Sequence, residues 1–379
     1  MSGFTVQGGD VLFPDGRRAE DLVVDDGRIA AATVSGATVD ATGLLVAPGY
    51  VDLQINGAFG IDLMREPERL WELGERLTAC GVTAFLPTIP SAPEGIVARA
   101  VEAMRHRPDG YLGAEPLGLH LEGPMLSRAR RGAHDPANLR PPDPALYGDW
   151  SRADGVAMVT LAPELPGALD AVRCLTSAGV LVAAGHTDAT TDEMTAGVDA
   201  GITAVTHLYN AMAPFAHREP GPIGVALTDP RLTAGLIVDG QHVHPVAVAA
   251  AWAVLGPDRL ALVTDAVAAM GAAPGPSTLG GAEVSVDEVA VRTKDGRLAG
   301  SLLAMDVAVR NLVEATGCTH DQAIRCATAV PARLVGAAGR GEIAAGNRAD
   351  LVLLDPSCRV VGVVVGGHVV VDVEGRWRS

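Results

Sequence analysis

Short apolar runs that end on a polar residue recur through the middle of the chain: GLHLE (118–122), GVLVAAGH (179–186), ITAVTH (202–207) and LALVTD (260–265). Runs of this kind, spaced by helix-length segments, predict buried parallel strands. One intervening segment is explicit. After GVLVAAGH, Thr190 with Glu193 makes a capping-box start, Gly201 makes a C-terminal stop, and the next apolar run begins at once. Strand, helix and strand follow one another in this way from about residue 49 to 337.

The two ends of the chain have a different texture. Residues 1–47 alternate short strand-like pieces with turns, and the Asp-Gly pairs at 15–16 and 26–27 are hairpin signals. GEIAAGNRADLVLLD (341–355) and RVVGVVVGGHVVVDVEG (359–375) repeat that texture. The longest apolar stretch, VVGVVVGGHVVV (360–371), is too short to span a bilayer as a helix, and Gly366 and Gly367 break it, so it predicts a hairpin. The expectation is an α/β fold: a (β/α)8 TIM-like barrel over 49–337, with a small β-sandwich domain built from both termini, 1–48 and 338–379. A Gly/Pro-rich stretch (268–281) predicts a loop, and the hairpin-like segment after it looks inserted near the barrel mouth.

Composition narrows the function. The formal charge of −16 argues against nucleic acid or an anionic membrane as partner, though local Arg and His can still attract a small anion. Five scattered cysteines, odd in number and without a CxxC pair, argue against a disulfide framework and a cysteine zinc cluster, which fits a reducing cytoplasm. The segment MSGFTVQGGD has neither a charged n-region nor an apolar core, so no secretory leader is expected, and the expected localisation is cytoplasmic.

The residues that close the apolar runs carry the chemistry. Glu122, His186 and His207 supply one carboxylate oxygen and two imidazoles, a set that leaves a position open on a tetrahedral metal for water. Either histidine alone could be a hydrogen-bonded structural residue; it is the combination at successive strand ends that points to metal. Asp265 follows them in chain order, as a general base and acid beside metal-activated water or as a helix N-cap before AVAAM. DGQHVHP (239–245) places His242 and His244 two apart, on one face if the segment is a strand. They are either a second metal site or, with His242 the one chosen, a single pocket residue. His134 in RGAH and Arg218 in REPG fall in loops after strand ends. Arg218 reads as an anion clamp or as a solvated surface residue.

With these residues marked, several segments become recognisable. PGYVDLQINGAFG (48–60), GLHLEGP (118–124), GHTDAT (185–190), THLYNAM (206–212), REPG, VDGQHVHP, LVTDA (262–266) and AGSLLAMDVAVRNLV (299–313) resemble the N-acetylglucosamine-6-phosphate deacetylase family of the amidohydrolase superfamily. ATAVPAR (327–333) and GEIAAGNRADLVLLD resemble the segment with which that superfamily returns to its small sheet.

The resemblance implies a metal-dependent barrel that hydrolyses the acetamide of N-acetyl-D-glucosamine 6-phosphate to D-glucosamine 6-phosphate and acetate. By position it makes Glu122, His186 and His207 the ligands of one divalent metal ion per subunit, with Zn2+ expected and Fe2+, Co2+ or Mn2+ as alternatives. It makes Asp265 the proton shuttle and gives His134 the acetyl carbonyl to hold and polarise. It places Ala133, Asn210, Ala211, Arg218, Asp239, His242, Leu298, Ala299 and Gly300 around the phosphosugar. It also implies a homodimer in which Arg218 reaches the neighbouring site. One departure bears on the metal count. Relatives that bind two metals carry His-x-His after the first barrel strand and often a carboxylated lysine; here Gln54 and Asn56 stand there, and the sole lysine, Lys294, lies in the TKDG turn. A mononuclear site follows. The alternatives are a deacetylase of N-acetylgalactosamine 6-phosphate, one acting on another acylated amine, or a scaffold that has lost catalysis.

Overall fold

The computed structural model describes residues 3–31, 36–93, 95–273, 275–279 and 282–378 of the chain. Eight parallel strands build a barrel: β1 (Tyr50–Ile55), β2 (Val82–Pro90), β3 (Leu119–Glu122), β4 (Val156–Leu161), β5 (Leu181–Ala184), β6 (Ala204–Val205), β7 (Thr233–Leu236) and β8 (Leu260–Leu262). Each pairs with the next in chain order. Because helices cover the outside and side chains fill the inside, these strands are buried on both faces. This explains why they are continuous apolar runs rather than alternating ones.

The eighth strand meets the first with little regular ladder. Closure rests on a parallel bridge between Ile55 and Ala266, with Asp265 N donating to Gln54 O (2.9 Å) and Asn56 N to Ala266 O (2.8 Å). This seam matters because it fixes the end of β1 directly against Asp265.

The helix after β5 runs Thr191–Ala200, capped reciprocally by Thr190 and Glu193 and stopped at Gly201, as its sequence predicts. Beyond β8 a three-stranded antiparallel sheet, Gly275–Leu279, Ala282–Val286 and Val291–Thr293, stands at the barrel mouth. Part of the expected 268–281 loop is therefore strand, because Gly275–Leu279 pairs along its whole length with Ala282–Val286. Val284, Val286 and Val291 seat this sheet on Val267, Ala269 and Ala299.

The terminal segments form two sheets. One holds Phe4–Gln7, Leu22–Asp25, Arg28–Ala30, Ala37–Asp40 and Trp377–Arg378; the other holds Asp10–Phe13, Gly16–Ala19, Leu45–Pro48, Leu351–Leu354, Val360–Val365 and His368–Asp372. They share a core of residues such as Phe4, Val24, Val46, Leu351 and Val364, which makes them a sandwich. The hairpins fall where they were expected, with one shift. Asp26 and Gly27 are the central pair of their turn, both left-handed, whereas the first turn is centred on Pro14 and Asp15, with Gly16 opening the return strand. Gly366 and Gly367 turn the last hairpin.

The passage between sandwich and barrel is held by a buried charge cluster. The Asp350 carboxylate pairs with Arg340, bonds Arg348 Nε (3.0 Å) and accepts from Gly366 N (2.8 Å), while its carbonyl accepts from Gly49 N (2.9 Å). Asp350→Asn takes from the largely buried Arg340 guanidinium the carboxylate that pairs with it. Denaturant unfolding is expected to show a loss of about 3–5 kcal/mol, and a loss below about 1 kcal/mol would mean the cluster is dispensable. The five cysteines are free, and no described helix is long and apolar enough to cross a membrane.

Candidate active site

Four strand ends deliver the central residues to one point. Glu122 is the last residue of β3, and His186, His207 and Asp265 follow β5, β6 and β8 within a few residues. His186, His207 and Asp265 all have left-handed backbone, with φ of 49°, 29° and 49°. Such a conformation costs a non-glycine residue about 1–3 kcal/mol and breaks the ladder where it occurs. Three instances at the ends of strands of one barrel mouth mark a site that the surrounding structure forces.

Glu122 Oε1 lies 3.2 Å from His186 Nε2 and 2.9 Å from His207 Nε2, and the two ring nitrogens are 3.1 Å apart. His186 Nδ1 donates to Arg130 O (2.9 Å), since a carbonyl can only accept, and its Nε2 lone pair is thereby turned to the cluster. A buried carboxylate oxygen and two imidazole nitrogens within 4.8 Å of one another fit a divalent metal ion, with a coordination position left over. The electrostatics agree. Burial alone would raise the Glu122 carboxyl, but the His134, His186 and His207 rings gathered around it hold it well below the usual range. Burial pushes His186 down to about 4, so it is neutral and able to ligate. For His207 burial works downward too, but the hydrogen bond and charge of Glu122 outweigh it.

Asp265 is held from the seam side. Gln54 Nε2 donates to Asp265 Oδ1 (3.1 Å) and to Glu122 Oε1 (2.8 Å), and Asn56 Nδ2 donates to the same Asp265 Oδ1 (2.6 Å). Burial, and then the charge of Glu122, raise the Asp265 carboxyl above its ordinary range, which suits a group that must take up a proton. The segment after Asp265 is not helical, so the N-cap alternative falls away. His134 Nε2 sits 3.4 Å from Glu122 Oε2. Its Nδ1 accepts from Ser91 N (3.2 Å), which leaves the hydrogen on Nε2, facing the site.

These groups floor a cavity of about 830 Å³. Of the residues singled out from the sequence, Ala133, His134, Asn210, Ala211, His242, Leu298 and Gly300 line it together with the four central ones. Three do not. Asp239 stands behind His242, its Oδ2 2.7 Å from the ring Nδ1, and orients that ring. Ala299 is turned into the small core beneath the three-stranded sheet. Arg218 is exposed and outside the lining of its own chain's cavity. The segment with His242 and His244 is a turn rather than a strand. His244 therefore caps the helix Pro245–Arg259 by accepting from Val246 N and forms no second metal pair with His242. Lys294 pairs with Glu283 at the cavity rim, far from any bridging role.

Sequence reasoning marked Gln54 and Asn56 only as departures. Their function as the amide clamp of Asp265 depends on barrel closure and has no local signature. Arg131 and Arg297 were missed as well: Arg131 Nη1 bonds His134 O (2.8 Å) and Arg297 Nη1 bonds Gly132 O (3.2 Å), so both brace the loop that presents His134. An acidic chain rich in arginine offers no way to pick these two out.

A (β/α)8 barrel with one carboxylate and two histidines converging at the carboxyl-end mouth, and an aspartate beside them, defines a metal-dependent hydrolase. Residues 45–370 match the amidohydrolase family, and the chain belongs to that family. N-acetylglucosamine-6-phosphate deacetylase of Homo sapiens is 38% identical over 381 residues, spanning 96% of this chain and 90% of that protein. N-acetylgalactosamine-6-phosphate deacetylase of Escherichia coli O157:H7 is 38% identical over 353 residues, spanning 92% and 93%. Among solved structures, an aspartate-to-alanine variant of N-acetyl-D-glucosamine-6-phosphate deacetylase from Mycobacterium smegmatis, in complex with N-acetyl-D-glucosamine-6-phosphate, superposes with a TM-score of 0.89 at 35% identity. It covers 98% of this chain and 100% of that one.

Proposed function

We propose that this protein hydrolyses N-acetyl-D-glucosamine 6-phosphate to D-glucosamine 6-phosphate and acetate. The observation that carries the reading is the convergence of Glu122, His186, His207 and Asp265 on the floor of one cavity, in a chain similar over nearly its full length to N-acetylglucosamine-6-phosphate deacetylase of Homo sapiens. Zn2+ suits a donor set of two imidazoles and one carboxylate, and Fe2+, Co2+ and Mn2+ fit the same ligands. A divalent ion there supplies Lewis acidity that acidifies water and polarises a carbonyl oxygen.

The residues of the chain do the rest. Asp265, its Oδ1 taken by Gln54 and Asn56, keeps Oδ2 for the proton of the attacking water and passes it to the nitrogen that leaves. His134, with its hydrogen on Nε2, donates to the acetyl oxygen as negative charge develops there. His242, steadied by Asp239, meets the phosphosugar at the cavity wall. Distant phosphate contacts turn binding energy into placement of the acetyl group. The exposed Arg218, with no ion pair among the described residues, is the residue we assign to the phosphate of a neighbouring subunit in a homodimer, and we place the enzyme in the cytoplasm.

Acetate release from N-acetyl-D-glucosamine 6-phosphate by Zn2+-loaded protein, beside the unphosphorylated sugar, tests this. Turnover of the phosphorylated sugar alone is expected. Turnover of neither sugar rejects the assignment. The second reading, N-acetylgalactosamine 6-phosphate, is favoured by the relative of that name at the same 38% identity, and faster acetate release from the galacto epimer would establish it.

A further inference from the structure

One layer below the ligands, the barrel interior carries a chain of polar groups that no step above uses. His120, two residues before Glu122 on β3, is fully buried, with Nδ1 3.1 Å from Leu53 O and Nε2 2.7 Å from Thr160 Oγ1. Thr160 Oγ1 lies in turn 2.6 Å from Thr206 Oγ1. The carbonyl of Leu53 can only accept, so Nδ1 carries a hydrogen; on the neutral ring Nε2 accepts from Thr160, whose oxygen then accepts from Thr206. Each member abuts the site: Leu53 precedes Gln54, Thr160 is the register partner of Glu122, and Thr206 precedes His207.

Thr160 is on β4 and Thr206 follows β6, so their hydroxyls meet across the intervening strand. Gly185 makes that possible. A Cβ there would stand 2.7 Å from Thr160 Cγ2 and 2.9 Å from Thr206 Cβ, driving the pair apart. The residue after Gly185 is His186. The layer thus touches the strand or strand end of every metal ligand, and that of the amide clamp.

We propose that His120, Thr160 and Thr206, with Gly185 as the gap that lets the threonines meet, are positioning residues that set where Glu122, His186 and His207 converge. Such a brace fixes ligand spacing before the ion arrives, as groups behind metal ligands do elsewhere. A buried polar chain that served packing alone could be replaced by apolar groups of the same shape with no effect on the site. The inference rests on the reading that those three residues hold a divalent ion.

The test is Zn2+ affinity by chelator competition, with the melting temperature of the metal-free protein and the absorption spectrum of the Co2+ form measured alongside. Thr160→Val keeps the shape and removes the hydroxyl; it is expected to weaken Zn2+ binding roughly 10–100-fold, alter the Co2+ bands and lower kcat with KM unchanged. Thr160→Ser, which restores the hydroxyl, is expected to recover the affinity, and Gly185→Ala to lose it. Thr206→Val breaks only the far link and reads the same outcome should Thr160→Val not fold. Unaltered Zn2+ affinity and Co2+ spectrum in the folded valine variants, with only the melting temperature changed, overturns the brace and leaves the metal site standing. Failure of the unsubstituted protein to bind Zn2+ overturns both.

Discussion

Asp265→Asn is expected to bind the phosphosugar with an unchanged KM and to turn it over about 10²–10⁴-fold more slowly. Asparagine preserves the volume and can still accept from Gln54 and Asn56 through its carbonyl, so the pocket keeps its shape. On the proposed mechanism, what is lost is the oxygen that takes a proton and returns it to the amine, without which the amine is a very poor leaving group. Steady-state acetate release checks this, and a variant with near-normal kcat would remove Asp265 from the reaction. The pH profile gives a second view. Burial and then Glu122 raise the Asp265 carboxyl, and the base form is the deprotonated one, so the rate should fall away on the acid side at a pH above the ordinary carboxylate range. Asp265→Glu, with a carboxylate displaced by one methylene, should keep an acid limb while losing rate.

Glu122→Gln should have an effect as large by another route. The carboxylate is the only formal negative charge among the three converging side chains proposed to hold the metal, and it also accepts from Gln54 at 2.8 Å. A neutral amide at the same place removes most of the attraction for a divalent cation and turns a donor group towards two imidazoles. Metal content of the purified variant should fall to a small fraction of one ion per chain, with Zn2+ affinity weakened on the order of 10²-fold or more, beyond the cost of altering a group behind a ligand. Elemental analysis with chelator competition measures this directly. Retention of one tightly held ion in Glu122→Gln would place the metal elsewhere.

The two predictions differ in how much of their basis was legible from the residues alone. Glu122, His186, His207 and Asp265 could be marked because each closes an apolar run, and a buried parallel strand is apolar along its whole length until it reaches the mouth. The barrel, the terminal sheets and the helix capped by Thr190 were legible for similar reasons: hydrophobic period, turn residues and caps act over a few residues and do not depend on distant contacts. The family resemblance added roles to those positions. His242 could be chosen over His244, but the strand imagined for them is a turn, because Pro245 opens a helix that His244 caps.

What escaped the sequence is whatever depends on closure. Gln54 lies 211 positions from Asp265, and the pair meets only because β1 returns to the end of β8. The left-handed backbone of His186, His207 and Asp265 is a strain imposed by the assembled mouth, and no residue-level preference announces it. Likewise, that Ala299 faces the core while its neighbours Leu298 and Gly300 face the cavity depends on how the three-stranded sheet seats against Val267. The sequence by itself determined the elements and the chemical types at their ends, since these follow from local period and from the burial of strands. The tertiary structure decided which atoms face one another, because contacts between residues distant in the chain are set by how the barrel closes and not by the identity of either partner.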